Sequence, residues 1–232
     1  MLVALSRVMH VDHAISPAAP LPSHSTPRPF FRTLGRMAWL FLRHPRRAVD
    51  ELVVEPRALS LGLVFLLVGL TVYSFVGARI YALGYRPSTA PLTLFPSQSW
   101  YLMQTFITIP VGVVAAFAFS GIAYAVCRAL GGSGSFDVTF GASAFSLHLP
   151  MLLLMWIPEI FVAPALYGRG GHHLPWPWWI ELLRAVLIPF PWAGIVATWG
   201  LARAHRLAPS RAALAVLVAA VPTALVAAAF LR

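Results

Sequence analysis

The sequence predicts an all-α, polytopic membrane helix bundle with about five transmembrane helices and an interfacial amphipathic helix ahead of them. Three observations predict it. Of 232 residues, 59% are hydrophobic and only 10% are charged, against roughly 45–50% and 25% in soluble domains. The apolar residues gather in several runs of about 20, the length that crosses a hydrocarbon layer as a helix. Arginines collect in alternate connections between those runs, the asymmetry that orients spans in a bilayer. One buried core helix would explain one such run, not several.

Residues 1–29 come first. Met1 to Leu5 is apolar but Arg7 interrupts it, and His10, Asp12 and His13 follow, so the h-region of a signal peptide is lacking. Ser16 to Pro29 is rich in Pro, Ser and Thr and is expected to be disordered.

Residues 30–57 form a juxtamembrane segment of a different kind. Phe30, Phe31, Leu34, Met37, Ala38 and Phe41 recur at helical spacing on one face, with Arg32, Arg36 and Arg43 opposite. That pattern predicts a helix in the membrane interface, rings in the acyl boundary and guanidinium groups near phosphates. Trp39 departs from it by projecting toward the arginine side. Pro45 ends this helix, and Arg46 to Glu55 can begin another, with Arg46–Asp50 and Arg47–Glu51 at i,i+4.

Five spans follow in residues 58–231: Ala58 to Tyr81, Tyr101 to Leu130, Phe140 to Ala163, Trp178 to Leu201 and Ala212 to Leu231. With the N-terminus inside, the inner connections carry twelve of the 17 arginines and the outer ones five, so the N-terminus is expected in the cytosol and the C-terminus outside. Trp100, Tyr101, Trp176, Trp178 and Trp179 open the second and fourth spans at headgroup depth. Gly112, Ala116 and Ser120 on the second span, and Ala220, Ala224 and Ala228 on the fifth, are candidate rows for close helix packing.

Ionisable residues within spans are expensive and therefore suspect. They are His148, Glu159, Glu181 and Arg184. Glu159 and Arg184 reach similar depth on adjacent antiparallel spans, which predicts an intramembrane ion pair, with Glu181 a competing partner at i,i+3. His148 reads as a hydrogen-bonded packing residue. No Gly-x-Ser-x-Gly, His-Glu-x-x-His or Gly-Lys-Ser/Thr motif occurs, so catalysis is not indicated and no cofactor is implied. His172 and His173 lack a third ligand nearby, and Cys127, the single cysteine, makes no disulfide within the chain. Gly131, Gly132, Ser133 and Gly134 have the glycines of a phosphate cradle without its Lys-Ser/Thr, and read as a flexible turn between spans.

The net charge of +10 would suggest nucleic acid in a soluble protein. Here the arginines flank apolar segments, so the expected partners are the lipid bilayer and anionic phospholipids at the cytosolic face, not nucleic acid. Membrane-protein partners or a homo-oligomer are also compatible.

One stretch has the layout of a known family. An amphipathic segment, then His44-Pro45-Arg46-Arg47-Ala48-Val49-Asp50-Glu51-Leu52-Val53-Val54-Glu55-Pro56, then five spans, resembles the Yip domain family (Ypt/Rab-interacting proteins) in its bacterial branch. The likeness continues through Ala129-Leu130-Gly131-Gly132-Ser133-Gly134-Ser135-Phe136, Thr139 and Pro150, and covers about Phe30 to Leu231. The resemblance implies a non-enzymatic multispanning protein of the inner membrane that organises or scaffolds membranes. Eukaryotic members bind prenylated small GTPases, and Asp50 and Glu51 lie where such contacts would be sought. A small transporter or channel built on helices broken at Pro110, Pro150, Pro158, Pro189 and Pro191 is the alternative.

Overall fold

A computed structural model of the chain describes residues 29–84, 99–166 and 187–230, with Trp179 and Leu183 as isolated positions. The Pro-rich N-terminal segment, the loop with His172 and His173, and Trp176, Trp178, Glu181 and Arg184 lie outside the described residues. Every regular element within them is helical: α1 (Phe30–Arg43), α2 (Pro45–Val53), α3 (Ala58–Ala82), α4 (Trp100–Ala129), α5 (Phe136–Met151), a π turn (Leu152–Trp156), α6 (Ile157–Leu166), α7 (Pro189–His205) and α8 (Pro209–Phe230).

Four stretches are long and apolar enough to cross a membrane: Ala58–Ala82, Trp100–Ala129, Phe136–Phe161 and Pro209–Val226. They correspond to the first, second, third and fifth predicted spans. The fourth predicted span starts outside the described residues, and its described part is the 17-residue α7.

The rods close on themselves. α3 packs against α4, α4 against α8, α8 against α7, α7 against α5, and α5 back against α3. Glycine sets the tightest approach: a Cβ on Gly62 would lie 2.8 Å from the Cα of Gly141, so α3 and α5 meet backbone to backbone there. Gly112 makes room for the Leu70 side chain, and Ala116 and Ser120 on the same row are also buried, as the spacing on the second span predicts. The row expected on the last helix is displaced. Ala212, Ala215 and Ala219 are buried against Phe119, Ala123 and Cys127, whereas Ala224 is exposed. Ala recurs so often in α8 that spacing alone could not choose between its faces.

The proline reading is corrected as well. Pro110 sits inside an unbroken 30-residue helix, and Pro150 and Pro158 flank a π turn that keeps the third span continuous. The Ile157 amide donates to the Leu152 carbonyl across that turn. A one-residue slip of this kind lets a membrane helix carry proline without unwinding.

α1 differs from expectation in where its apolar face goes. Met37, Leu40 and Phe41 are buried in the bundle, with Phe41 stacked on Phe145 at 5.0 Å and Phe145 on Phe65 at 4.5 Å. Only Phe31, at 78% exposure, and Trp39, at 54%, project outward. Sequence periodicity identifies an apolar stripe but not whether lipid or protein covers it. Here protein covers most of it.

Candidate functional site

One end of the bundle gathers α1, α2, the starts of α3, α5 and α8 and the ends of α4 and α7. Ten of the eleven described arginines lie at this end, all but Arg79. The local sequence explains how they are displayed. His44 breaks the helix at φ −143° and ψ 65°, and Pro45 restarts it at the first position, where its missing N–H costs nothing. α2 then buries Ala48, Val49 and Leu52 and turns Arg46, Arg47 and Asp50 outward.

The carboxylates of α2 are taken up within this end. Glu51 pairs with Arg47 at 3.2 Å, as i,i+4 spacing predicts, and also with Arg36 of α1. Arg57 Nε donates to Glu55 across 2.8 Å. Asp50 departs from expectation. Its Oδ1 accepts from Arg203 of α7, 2.8 Å from Nε and 2.5 Å from Nη2, rather than pairing with Arg46. The tertiary partner arrives with two donors in a fork, a geometry that the i,i+4 neighbour does not match here. Because both side chains are about half exposed, a double-mutant cycle on Asp50→Asn and Arg203→Gln should give a coupling of only about 0.2–1 kcal/mol by thermal unfolding. A coupling several times larger would mean that water is kept out of the pair.

Arg46, freed from Asp50, lies over the Trp199 ring, 4.9 Å from its centroid, a distance at which a cation is attracted to the ring face. Arg43 lies over Trp39 at 4.6 Å. Two grooves flank Arg46 and Trp199. One, about 410 Å³, is lined by Arg43, His44, Pro45, Arg46, Arg47 and Trp199. The other, about 580 Å³, adds Asp50, Ala202, Arg203, Arg206, Leu207 and Pro209. Arg206 is the non-glycine residue with positive φ among the described residues, at 55°. A left-handed residue of this kind costs roughly 1–2 kcal/mol, yet an arginine stands where glycine would normally end a helix.

Beside this groove the Gly131–Gly134 turn is a fastened cap, not the flexible linker its composition suggests. A Cβ on Gly134 would lie 2.5 Å from the Ala204 carbonyl oxygen, and one on Gly132 would lie 2.9 Å from the His205 Cβ. Gly131 has φ 91°, which suits glycine. The Gly132 amide donates to the Cys127 carbonyl at 2.8 Å, Ser133 N–H to the His205 carbonyl at 3.1 Å, and Arg128 to the Gly132 carbonyl at 3.0 Å. Arg211 caps the Leu130 carbonyl from α8 at 3.2 Å. His205 itself is buried, with Nε2 2.7 Å from the Thr139 hydroxyl.

Burial, and then the nearby Arg128 charge, hold the His205 pKa below its ordinary value. The unfolded chain therefore binds a proton on this residue before the folded chain does. Stability should fall as pH drops below about 6.5, the pKa of an unperturbed histidine. Thermal unfolding at pH 7.5 and pH 5.5 should show a smaller difference in His205→Gln than in the parent. Equal differences would mean that His205 does not set this dependence.

The sequence-predicted residues divide accordingly. Arg36, Arg43, Pro45 and Arg46 come together at the groove end, as do Gly131, Gly132 and Gly134 at the cap. Phe30 packs edge-on to Phe31 with its ring 5.9 Å from the Arg57 guanidinium, Arg32 is exposed, Leu34 is half-buried, and Pro56 is an exposed residue of the turn before α3. The Glu159–Arg184 pair lies outside the described residues because Arg184 does. Glu159 is in the first turn of α6, within electrostatic reach of Tyr73 and Tyr101. Tyr73 accepts from Gln104 at 2.7 Å and stacks on Trp156. Sequence reasoning missed Trp199, Arg203 and His205. The signal for the first two was an i,i+4 step on one face of the fourth span.

Chemically, the groove offers guanidinium donors and an aromatic face, an arrangement that holds anions. Among the described residues no three His, Cys, Asp or Glu side chains come together to hold a metal ion.

The hairpin of α1 and α2, the span layout and the glycine cap reproduce the order of the family-like motifs, and residues 39–231 match the family model of the Yip1 domain. The chain belongs to the Yip1 domain family. No curated protein and no solved structure matches it. In Yip1 domain terms, the matched region runs from Trp39 in α1 to the end of α8 and contains both the groove and the cap. With four apolar helices of spanning length, this Yip1 protein is a multi-pass integral membrane protein.

Proposed function

We propose that this Yip1 protein is a non-catalytic membrane-organising or scaffolding protein of the bacterial inner membrane, acting through its arginine-rich end with the N-terminus in the cytosol. The observation that carries the reading is the placement of α1. Its inner face is anchored by Met37 and Phe41, so Phe31 and Trp39 project beside Arg32 and Arg43. Exposed rings among cations suit the boundary between acyl chains and anionic headgroups, and a rigidly mounted wedge acts on a leaflet more effectively than a loose one.

Reconstitution into anionic vesicles tests it. The parent chain should shift vesicle size or curvature, seen by electron microscopy, without conducting a soluble dye. Phe31→Ser with Trp39→Ser should lose the effect, and these surface changes spare the buried anchor. Vesicles indistinguishable from protein-free ones, or protein-dependent dye flux, would overturn the reading. Flux would favour the transporter alternative, although its premise of helices broken at Pro110, Pro150 and Pro158 no longer holds.

A further inference from the structure

The outer face of α7 changes character along its length in a regular order. Trp192, Ile195, Trp199 and Arg203 succeed one another at steps of three, four and four residues, which places them on one stripe of the helix. Ile195 is 52% exposed and Trp192 and Trp199 are half-buried. The stripe spans about 17 Å along the axis, running from apolar surface, through an indole, to guanidinium. That is the sequence of environments along a membrane lipid from acyl chain to headgroup.

The groove at the end of the stripe completes the match. Arg46 and Arg206 have no carboxylate partner among the described residues, and Arg203 shares Asp50. Three guanidinium groups therefore face one carboxylate, leaving an excess of positive charge in a space of about 580 Å³. Such a volume is within the range of ligand pockets. Pro209 lines the same groove, and further along α8 Leu214 and Leu217 are 49% and 64% exposed, so apolar surface borders it from a second helix. A soluble phosphate compound would use the arginines but leave the apolar stripe without a role. A lipid uses both.

We propose that the α2–α7 groove is a binding site for one phosphate-bearing anionic lipid. Its phosphate is held among Arg46, Arg203 and Arg206, and an acyl chain lies along Trp199, Ile195 and Trp192. Asp50 positions Arg203, and Trp199 positions Arg46. The inference rests on the reading above in one respect, that the arginine-rich end meets headgroups. It adds a specific site where that reading needs only a charged surface.

The full chain, purified in non-ionic detergent and passed through mixed micelles holding equal phosphatidylglycerol and phosphatidylcholine, is assayed for lipid retained per chain by mass spectrometry. The parent should enrich phosphatidylglycerol, and Arg46→Gln with Arg206→Gly should reduce that enrichment on the order of tenfold, the equivalent of losing a charge-assisted contact. Glycine at 206 keeps the left-handed turn without strain, so loss of fold does not explain loss of lipid. Arg32→Gln with Arg211→Gln removes equal charge from the same end and should leave the enrichment in place. Equal loss in both double variants would overturn the site in favour of diffuse attraction. Displacement of the lipid by millimolar glycerol 3-phosphate, with Trp199→Ala retaining parental enrichment, would overturn it in favour of a free phosphate compound. The readout is retained lipid, not vesicle shape, so this proposal and the proposed function fail separately.

Discussion

Replacing Phe145 with alanine should destabilise the chain by about 3–5 kcal/mol, the cost of emptying a large core position. Phe145 is fully buried and stacked between Phe41 of α1 and Phe65 of α3. Lipid does not diminish this cost, because the loss is one of van der Waals contact inside the protein rather than of shielding from water. The substitution should act twice, by opening a cavity in the bundle and by releasing α1 from its anchor. Cys127, the single cysteine and fully buried, supplies the readout through a thiol-reactive dye during heating. The dye should react roughly 6 °C or more below the parental midpoint, and trypsin should cut at Arg36 or Arg43 faster. A midpoint within a degree or two of the parent, with α1 still protected, would mean that α1 is held by something other than this stack.

Gly134→Ala should cost about 1–3 kcal/mol, as overpacking does. Its new Cβ would meet the Ala204 carbonyl at 2.5 Å and His205 Nδ1 at 2.9 Å, and neither can swing aside. Gly121 supplies the contrast. It lies inside α4 with open space where a Cβ would go, so Gly121→Ala should stabilise by about 0.5–1 kcal/mol, the helix preference for alanine. The same thiol assay, run on both variants, separates a fastened cap from a flexible connection. Were the Gly131–Gly134 segment only a linker, Gly134→Ala would be harmless, and that outcome would remove the cap.

The turn shows why some of the site stayed hidden. Gly-Gly-Ser-Gly reads as mobility because local composition reports only the conformations a segment is free to take. What fixes it is a histidine some 70 positions away, on the end of α7. Asp50 makes the same point. Arg46 is its sequence neighbour at i,i+4, yet Arg203, 153 positions on, wins by offering two donors at once. Arg47 and Glu51, by contrast, are paired as their spacing predicts, because nothing removes Arg47 from that contact. Local geometry holds unless a better-shaped partner is delivered by the fold.

Sequence alone determined the helical class, four of the spans with starts within a few residues, the break at Pro45 and the concentration of arginine at alternate ends. All of these follow from forces that act along the chain: the thickness of the apolar layer, the cost of charge within it and the fixed φ of proline. Tertiary structure alone decided which side of α1 faces protein, which face of α8 packs, and that Arg46, Trp199, Arg203 and Arg206 share one groove. Those outcomes depend on how the rods close into a ring, and an apolar stripe or an arginine carries the same local signal whichever neighbour it finally meets.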